Sequence, residues 1–292
     1  MWLRCGRLLR GRSERGLYFP INHRIVDQRS TPQAGTEEAD IQSRYRRQLR
    51  TNFTTGATRQ TQAPAWSQRV RPTHFLSLPL PARCTLRVRV KEMHDAMIFA
   101  DQHVESLLIP VARLHVTLGV MTVGNGVDAA AESQEDATEA AVASSVKSSA
   151  DLLASIHDCV GQAAHEICKE PLQLRFRGLG TFSHGRVLFA RCITEAHFST
   201  LDHLVRRIRK DVGLGLGVDM KGNPHDSYVP HVTVAKIRPS QQAEFGHQIP
   251  MTMWASHQHD EFGDVTFDKV DLCAMKGQGK DGYYPVVSSV SV

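Results

Sequence analysis

Apolar and polar residues alternate with a period of two in several short segments, as expected of strands with one buried face. In 172–177, for example, Leu172, Leu174 and Phe176 alternate with polar residues. This pattern predicts strands at 73–80, 114–118, 172–177, 186–193 and 230–234, and closing strands at 265–275 and 283–290.

A helical spacing of apolar residues separates these strands. It predicts amphipathic helices over 92–108, 151–169 and 196–211, the first two ended by Pro110 and Pro171. Residues 85–91 fit either an extended piece or the entry to a helix. Gly178 to Phe182 is predicted as a turn, and the glycines between 213 and 217 as a loop.

These elements predict one domain over 73–292. Residues 26–72 are polar and poor in large apolar side chains, which indicates a disordered linker. Residues 124–150 are low in complexity and indicate an inserted loop leading into a helix. One strand pattern recurs 116 residues apart, each time after helical sequence. The expected fold is α+β, a two-lobed, pseudo-symmetric duplicated unit with mostly antiparallel sheets around a central cleft and helices outside.

Charge is concentrated at the start of the chain. The whole chain has a net charge of +5, but residues 1–72 alone have 14 Arg and 5 acidic residues. The predicted domain that follows therefore has a net negative charge. Residues 1–25 are Arg-rich, acid-poor and amphipathic, which predicts a mitochondrial targeting segment and a matrix location. A basic tail that binds RNA or a partner is the alternative interpretation.

Two further compositional features narrow the class of protein. No apolar run approaches the roughly 18 residues of a membrane span. The six cysteines are scattered without a CxxC pair, which argues against a disulfide framework or a zinc ribbon and fits a reducing compartment.

The recurring strands each contain a His-x-Thr motif. Residues 114–118 read Leu-His-Val-Thr-Leu, and residues 230–234 read Pro-His-Val-Thr-Val. Alternate strand residues share a face, so each histidine points the same way as its threonine while the middle valine points into the core. One such motif is expected by chance, and each histidine could simply be a half-buried strand residue, but a matched pair predicts a shared site.

This constellation suits phosphodiester chemistry. Cleavage needs a base for the attacking hydroxyl, an acid for the leaving oxygen and donors for the phosphoryl oxygens. Imidazole serves as base or acid because it titrates near neutral pH. We therefore assign acid/base roles to His115 and His231 and phosphate binding to Thr117 and Thr233, with no metal or other cofactor. The sequence leaves open which histidine is the acid.

Other residues are weaker candidates. Lys236 could reach a phosphate, although a solvated strand-end lysine is the simpler interpretation. Phe75, Phe182 and Tyr228 are candidates for base stacking, although core packing explains each of them. The acidic and histidine-rich residues 257–261 superficially suggest a metal site, but their spacing matches no familiar one, and we interpret them as a polar loop.

Paired His-x-Thr motifs in apolar strands resemble those of the 2H phosphoesterase superfamily, which includes the 2′-5′ RNA ligase-like proteins. Further stretches are similar to the branch named for an A-kinase anchoring protein, and the similarity covers roughly residues 73–292. They read Phe-Leu-Ser-Leu-Pro from 75, Gly-Leu-Gly-Thr-Phe from 178, Val-Asp-Leu-Cys-Ala-Met from 270 and Asp-Gly-Tyr-Tyr from 281.

The resemblance implies a two-lobed α+β fold with the four motif residues in the groove. It also implies metal-independent chemistry on RNA ends, cyclic phosphates or 2′,5′-linked oligonucleotides. The chain stops soon after the last predicted strand, so we expect no kinase anchoring.

Two alternatives to the enzyme stay open. One is a non-catalytic RNA- or nucleotide-binding component of a mitochondrial ribonucleoprotein, anchored by its basic N-terminal arm. The other is a mononucleotide sensor that uses the same cleft without turnover.

Overall fold

The computed structural model describes residues 71–124, 148–193, 197–279 and 281–292. The predicted targeting segment, nearly all of the predicted linker and most of the predicted 124–150 insert lie outside these residues. Nine strands are described: β1 His74–Pro79, β2 His115–Thr122, β3 Leu172–Phe182, β4 Val187–Ile193, β5 Asp219–Met220, β6 His231–Lys236, β7 Glu261–Phe267, β8 Lys269–Ala274 and β9 Val286–Ser291.

Four α-helices accompany the strands: α1 Thr85–Ala100, α2 Ser149–Ile167, α3 Phe198–Ile208 and α4 Gln242–Phe245. Helix α1 lies against β7, and α2 lies against α3 and β9. Helix α2 begins at a capping box in which the Ser148 hydroxyl accepts the Asp151 backbone N–H at 3.1 Å. Its buried side follows the predicted apolar stripe through Ile156 and Val160. None of the described helices is both long and apolar enough to traverse a bilayer.

All the strands belong to one antiparallel sheet. Its order is β7-β3-β4-β6-β2-β1-β8-β9, with β5 paired to β2 outside this path. The two His-x-Thr strands, β2 and β6, are therefore the central pair, and each is the innermost strand of a four-stranded half. This arrangement confirms the predicted α+β fold and shows that its two lobes share one continuous sheet.

The central strands meet at one point and then separate. Val116 pairs with Val232, and this is the register position that joins β2 to β6 in the described sheet. Further along, β2 pairs with β5 instead, and the Val234 carbonyl of β6 accepts the Ile109 backbone N–H at 2.9 Å. Beyond the Val116–Val232 pair, the facing edges of β2 and β6 are thus bonded to other segments, and a cleft opens between the two strands.

The first helix differs from the prediction of 92–108. It starts at Thr85 and ends at Ala100, followed by a 3₁₀ segment over Gln102–Leu107. Arginines between Leu86, Val88 and Val90 imitate strand alternation, but only Leu86 and Val90 are buried, and Val88 is 55 % exposed. The buried stripe continues with a helical period because α1 covers the sheet.

Glycines account for two more differences. The predicted turn at 178–182 is the second half of β3, which passes a bulge with Gly178 at φ +70°. Gly213 and Gly215 lie in a π-helical segment, Arg209–Gly215, that continues α3.

The predicted strand 265–275 is two strands, β7 and β8, separated at Asp268, and the last strand begins at Val286.

A buried histidine ties α1 to the central strand β6. His94 is 6 % exposed, and its Nε2–H donates to the Val234 carbonyl at 3.0 Å. Burial lowers the pKa of His94 to about 4. Between about pH 6.5 and 4, His94 is therefore protonated in the unfolded chain but neutral in the native state. The free energy of unfolding decreases as pH falls through this window.

We expect His94→Gln to weaken this pH dependence. Glutamine keeps an N–H donor but does not titrate, so the slope of unfolding free energy against pH should fall by up to about 1.4 kcal/mol per pH unit between about pH 4 and 6.5. Denaturant unfolding at a series of pH values measures the slope. His103→Gln, at an exposed position, is the control for the substitution itself. Equal slopes in wild type and His94→Gln would contradict the assignment.

Candidate active site

The two His-x-Thr strands share one local conformation. In each, the valine between histidine and threonine is fully buried, while the histidine and threonine lie half-buried on the other face. A register shift follows each threonine, so that Leu118 and Val234 are extra residues in their strands. A bulge bends a strand and increases its twist. The matching bulges accompany the separation of β2 from β6 beyond the motifs.

The structure brings the four predicted motif residues together. Because β2 and β6 run antiparallel about the Val116–Val232 pair, Thr117 lies beside His231, and His115 lies beside Thr233. The groove between the lobes is therefore lined at its centre by two imidazoles and two hydroxyls, related by an approximate two-fold axis.

Backbone carbonyls fix both imidazoles in the same way. His115 Nδ1 lies 2.8 Å from the Arg113 carbonyl, and His231 Nδ1 lies 2.7 Å from the Val229 carbonyl. A carbonyl only accepts, so Nδ1 carries the proton in both rings. Nε2 is then the unprotonated nitrogen of each neutral ring, directed away from its own strand.

Aromatic rings hold the histidines from the sides. The His115 ring centroid lies 5.0 Å from Phe75 and 5.6 Å from Tyr284. The His231 centroid lies 4.8 Å from Phe182 and 5.2 Å from Phe189. Such contacts restrict ring rotation.

Burial disfavours the protonated form of both imidazoles. It lowers the pKa of His115 to about 4, with a smaller contribution from the nearby His231, and it also lowers the pKa of His231. The negative charge of a bound phosphodiester opposes this effect, because an opposite charge favours the protonated ring. A phosphodiester in the groove would therefore raise the pKa of the imidazole nearest to it.

The weaker candidates occupy different positions. Phe75 is 3 % exposed beneath His115, and Tyr228 is buried, with its hydroxyl donating to the Thr117 carbonyl at 2.8 Å. Tyr228 thus anchors the segment before β6 to β2, and Phe75 packs against the His115 ring. Phe182 is half-buried against His231 and keeps contact with the groove.

Lys236 is exposed at the end of β6. Simple alternation would place Lys236 on the face opposite Thr233. The extra residue at Val234 reverses that alternation, since Ala235 and Ile237 are both buried and Lys236 between them is exposed. The lysine therefore shares the groove face with the motif residues.

A cleft of about 350 Å³ extends from the motif residues. Thr117, Phe182, Tyr228 and His231 line it, together with two cations, Arg209 and Lys221, that sequence reasoning did not single out. The Arg209 guanidinium lies 5.6 Å from the Tyr228 ring centroid. The volume falls in the range of small-molecule sites.

The polar residues of the 257–261 segment contact one another and β3. His257 Nδ1 lies 2.7 Å from an Asp260 carboxylate oxygen, and Glu261 accepts a hydrogen bond from Arg175 at 3.1 Å. Within the described parts of the chain, no three histidine, cysteine or acidic side chains are grouped as ligands for a metal ion.

Sequence reasoning missed Phe189, Tyr283 and Tyr284 as neighbours of the histidines. Phe189 lies in a correctly predicted strand, but its face depends on the register with β6. The two tyrosines precede β9 and reach His115 from the far end of the chain. Only the Asp-Gly-Tyr-Tyr stretch of the family resemblance pointed to them.

Comparisons with solved structures give distant similarities. E. coli LigT complexed with 3′-AMP is 13 % identical, with a TM-score of 0.44 and coverage of 76 % of this chain and 99 % of LigT. TT0787 of Thermus thermophilus is 18 % identical, with a TM-score of 0.41 and coverage of 75 % and 97 %. The MHV ns2 PDE domain is 14 % identical, with a TM-score of 0.37 and coverage of 68 % and 98 %. No match was found among curated proteins.

A protein-family comparison covers the whole described domain. The model of the AKAP7 2′5′ RNA ligase-like domain matches residues 72–292. This match confirms the superfamily and the branch that the motifs resemble, and it supports phosphodiesterase activity on nucleotides in general. The chain therefore belongs to the AKAP7 2′5′ RNA ligase-like domain family and is a 2H-type phosphoesterase.

Proposed function

We propose that this protein is a metal-independent phosphodiesterase that acts on RNA ends, cyclic phosphates or 2′,5′-linked oligonucleotides. The observation that carries the proposal is the matched placement of two histidines on adjacent central strands, each held through Nδ1. Two such rings provide a proton acceptor and a proton donor without any other group.

The chemistry follows from these positions. One Nε2 accepts the proton of the attacking hydroxyl, which is a ribose hydroxyl or water, as its oxygen bonds to phosphorus. The other imidazole, protonated in the presence of the phosphodiester, gives its Nε2 proton to the leaving oxygen as that P–O bond breaks. Thr117 and Thr233 donate to the non-bridging oxygens, where negative charge develops. The two-fold arrangement exchanges the histidine roles when the substrate is reversed.

The cleft beside Thr117 suits the nucleoside next to the scissile phosphate. Phe182 offers an aromatic surface there, and Arg209 and Lys221 offer positive charge. Stacking on aromatic rings tolerates any base. This lining favours nucleotide substrates over phosphodiesters without a base.

We also propose a location in the mitochondrial matrix, which the Arg-rich amphipathic composition of residues 1–25 supports. The position of a fluorescent fusion in cells, with and without residues 1–25, tests this proposal. In the alternative function, the same groove binds RNA or nucleotides as part of a mitochondrial ribonucleoprotein without cleavage.

The enzyme is tested with the full chain in EDTA. End-labelled oligonucleotides with 2′,5′ linkages, 3′,5′ linkages or a 2′,3′-cyclic phosphate end are the substrates, between pH 5 and 9. We expect turnover of at least one linkage with a bell-shaped dependence of kcat on pH. Turnover that EDTA abolishes and a divalent metal restores would contradict the proposed mechanism. Nucleotide binding without turnover on any substrate would support the non-catalytic alternative.

A further inference from the structure

Arg191 lies next to the active-site histidine on the neighbouring strand. In the register between β4 and β6, Arg191 pairs with His231. Directly opposed residues project from the same face of a sheet. The arginine therefore belongs to the groove face, although the phosphodiester chemistry described above does not use it.

Two glycines in β3 make room for this side chain. A Cβ at Gly178 would lie 2.6 Å from Arg191 Nη2, and a Cβ at Gly180 would lie 3.3 Å from Arg191 Cγ. Any larger residue at 178 would displace the guanidinium. The Gly-Leu-Gly stretch thus lets Arg191 extend from β4 across β3, about two strand spacings, or roughly 10 Å, from β6.

The guanidinium lacks a partner among the described residues. No ion pair of Arg191 is described there, and its Nε is buried without a hydrogen bond. The neighbouring cations differ: Arg175 and Arg177 lie 3.1 Å and 3.5 Å from Glu261 oxygens. A buried charged donor without a partner is unfavourable unless a ligand satisfies it.

A cavity of about 260 Å³ opens at this guanidinium. Arg177, Gly178, Arg191 and His259 are among its lining residues, and none of the described residues that line it is acidic. The cavity is thus separate from the cleft beside Thr117, and its lining favours an anion.

We propose that Arg191 binds a second phosphate of an oligonucleotide substrate, one or two nucleotides from the phosphodiester that is cleaved. This inference rests on the proposed function and narrows its substrate class to oligonucleotides rather than mononucleoside phosphates. A guanidinium suits this role because it donates two parallel hydrogen bonds to one phosphate group. The cleft beside Thr117 then holds a nucleoside on one side of the scissile bond, while the Arg191 cavity holds the phosphate backbone on the other.

The test compares a short and a long substrate. For wild type and Arg191→Gln, kcat/KM is measured with adenosine 2′,3′-cyclic phosphate and with a trinucleotide that ends in the same cyclic phosphate. We expect the ratio of kcat/KM for trinucleotide over mononucleotide to fall about tenfold or more in Arg191→Gln, as one charge-assisted contact is lost. Arg191→Lys keeps the charge but loses the bidentate geometry, so it should recover part of the ratio.

A second variant controls for the loss of one positive charge. Arg89→Gln, on the exposed side of α1, removes one positive charge away from the groove and should keep the wild-type ratio. An unchanged ratio in Arg191→Gln would overturn the proposal.

Failure of the proposed function is recognised separately as the absence of wild-type turnover. In that case, fluorescence anisotropy with a labelled trinucleotide decides the question. Weaker binding by Arg191→Gln than by Arg89→Gln supports the phosphate site, and equal binding overturns it.

Discussion

Replacing either His115 or His231 by alanine is expected to lower kcat for phosphodiester cleavage by about 10²- to 10⁴-fold, the usual contribution of a positioned acid or base. Each ring is held through Nδ1 and presents Nε2 to the groove. Loss of one ring removes proton transfer at one of the two oxygens. The remaining histidine cannot replace it, because the proton must leave one side of the phosphorus and arrive on the other.

Steady-state kinetics across pH 5 to 9 measure the effect. Each single variant should also lose one limb of the bell-shaped profile, since a single titrating group remains. The double variant should be little worse than either single one, because the two groups act as a unit. Melting temperatures show whether the variants remain folded, and His103→Ala is the control for loss of an exposed histidine. Wild-type kcat in either single variant would contradict the assignment.

Replacing Thr117 or Thr233 by valine is expected to lower kcat by about 10²-fold, in the range found for removal of one oxyanion donor. Valine has nearly the same shape as threonine and favours strands, so β2 and β6 should keep their packing. The change removes only the hydroxyl that donates to a phosphoryl oxygen.

Threonine-to-serine variants test this explanation directly. Serine retains the hydroxyl and should restore most of the activity at both positions. Thr122→Val, at the far end of β2, is the matched control and should retain wild-type kcat. If Thr117→Val raised KM while kcat stayed unchanged, the hydroxyl would bind substrate and transition state equally, and the proposed role in charge stabilisation would be wrong.

The motif segments of the central strands could be predicted because their burial follows simple alternation as far as the threonine. Val116 and Val232 are buried while the flanking histidines and threonines are not, as a period of two requires. The predicted start of helix α1 lies after the observed start because arginines between its first apolar residues imitate the alternation of a strand. The glycines of β3 suggested a turn, whereas their role depends on Phe189 and Arg191 of the neighbouring strand.

Only part of the candidate site could be predicted from the sequence, for a related reason. A short motif indicates the conformation of its own strand, so the four motif residues could be identified from their spacing. The residues around them come from distant segments: Tyr284 contacts His115 from the C-terminal part of the chain, and Lys221, directly after β5, lines the cleft. Sequence spacing carries no information about such contacts before the register of the sheet is known.

The single register position between β2 and β6 has a mechanical consequence. A sheet resists deformation through its ladder of backbone hydrogen bonds, and here the ladder is shortest along the line that carries the reactive groups. The strand ladder therefore contributes little to holding the lobes at their distance. Other hydrogen bonds also join them: the Ile109 N–H donates to the Val234 carbonyl, and the Tyr228 hydroxyl donates to the Thr117 carbonyl. The spacing of the two histidines therefore depends largely on contacts outside the strand ladder.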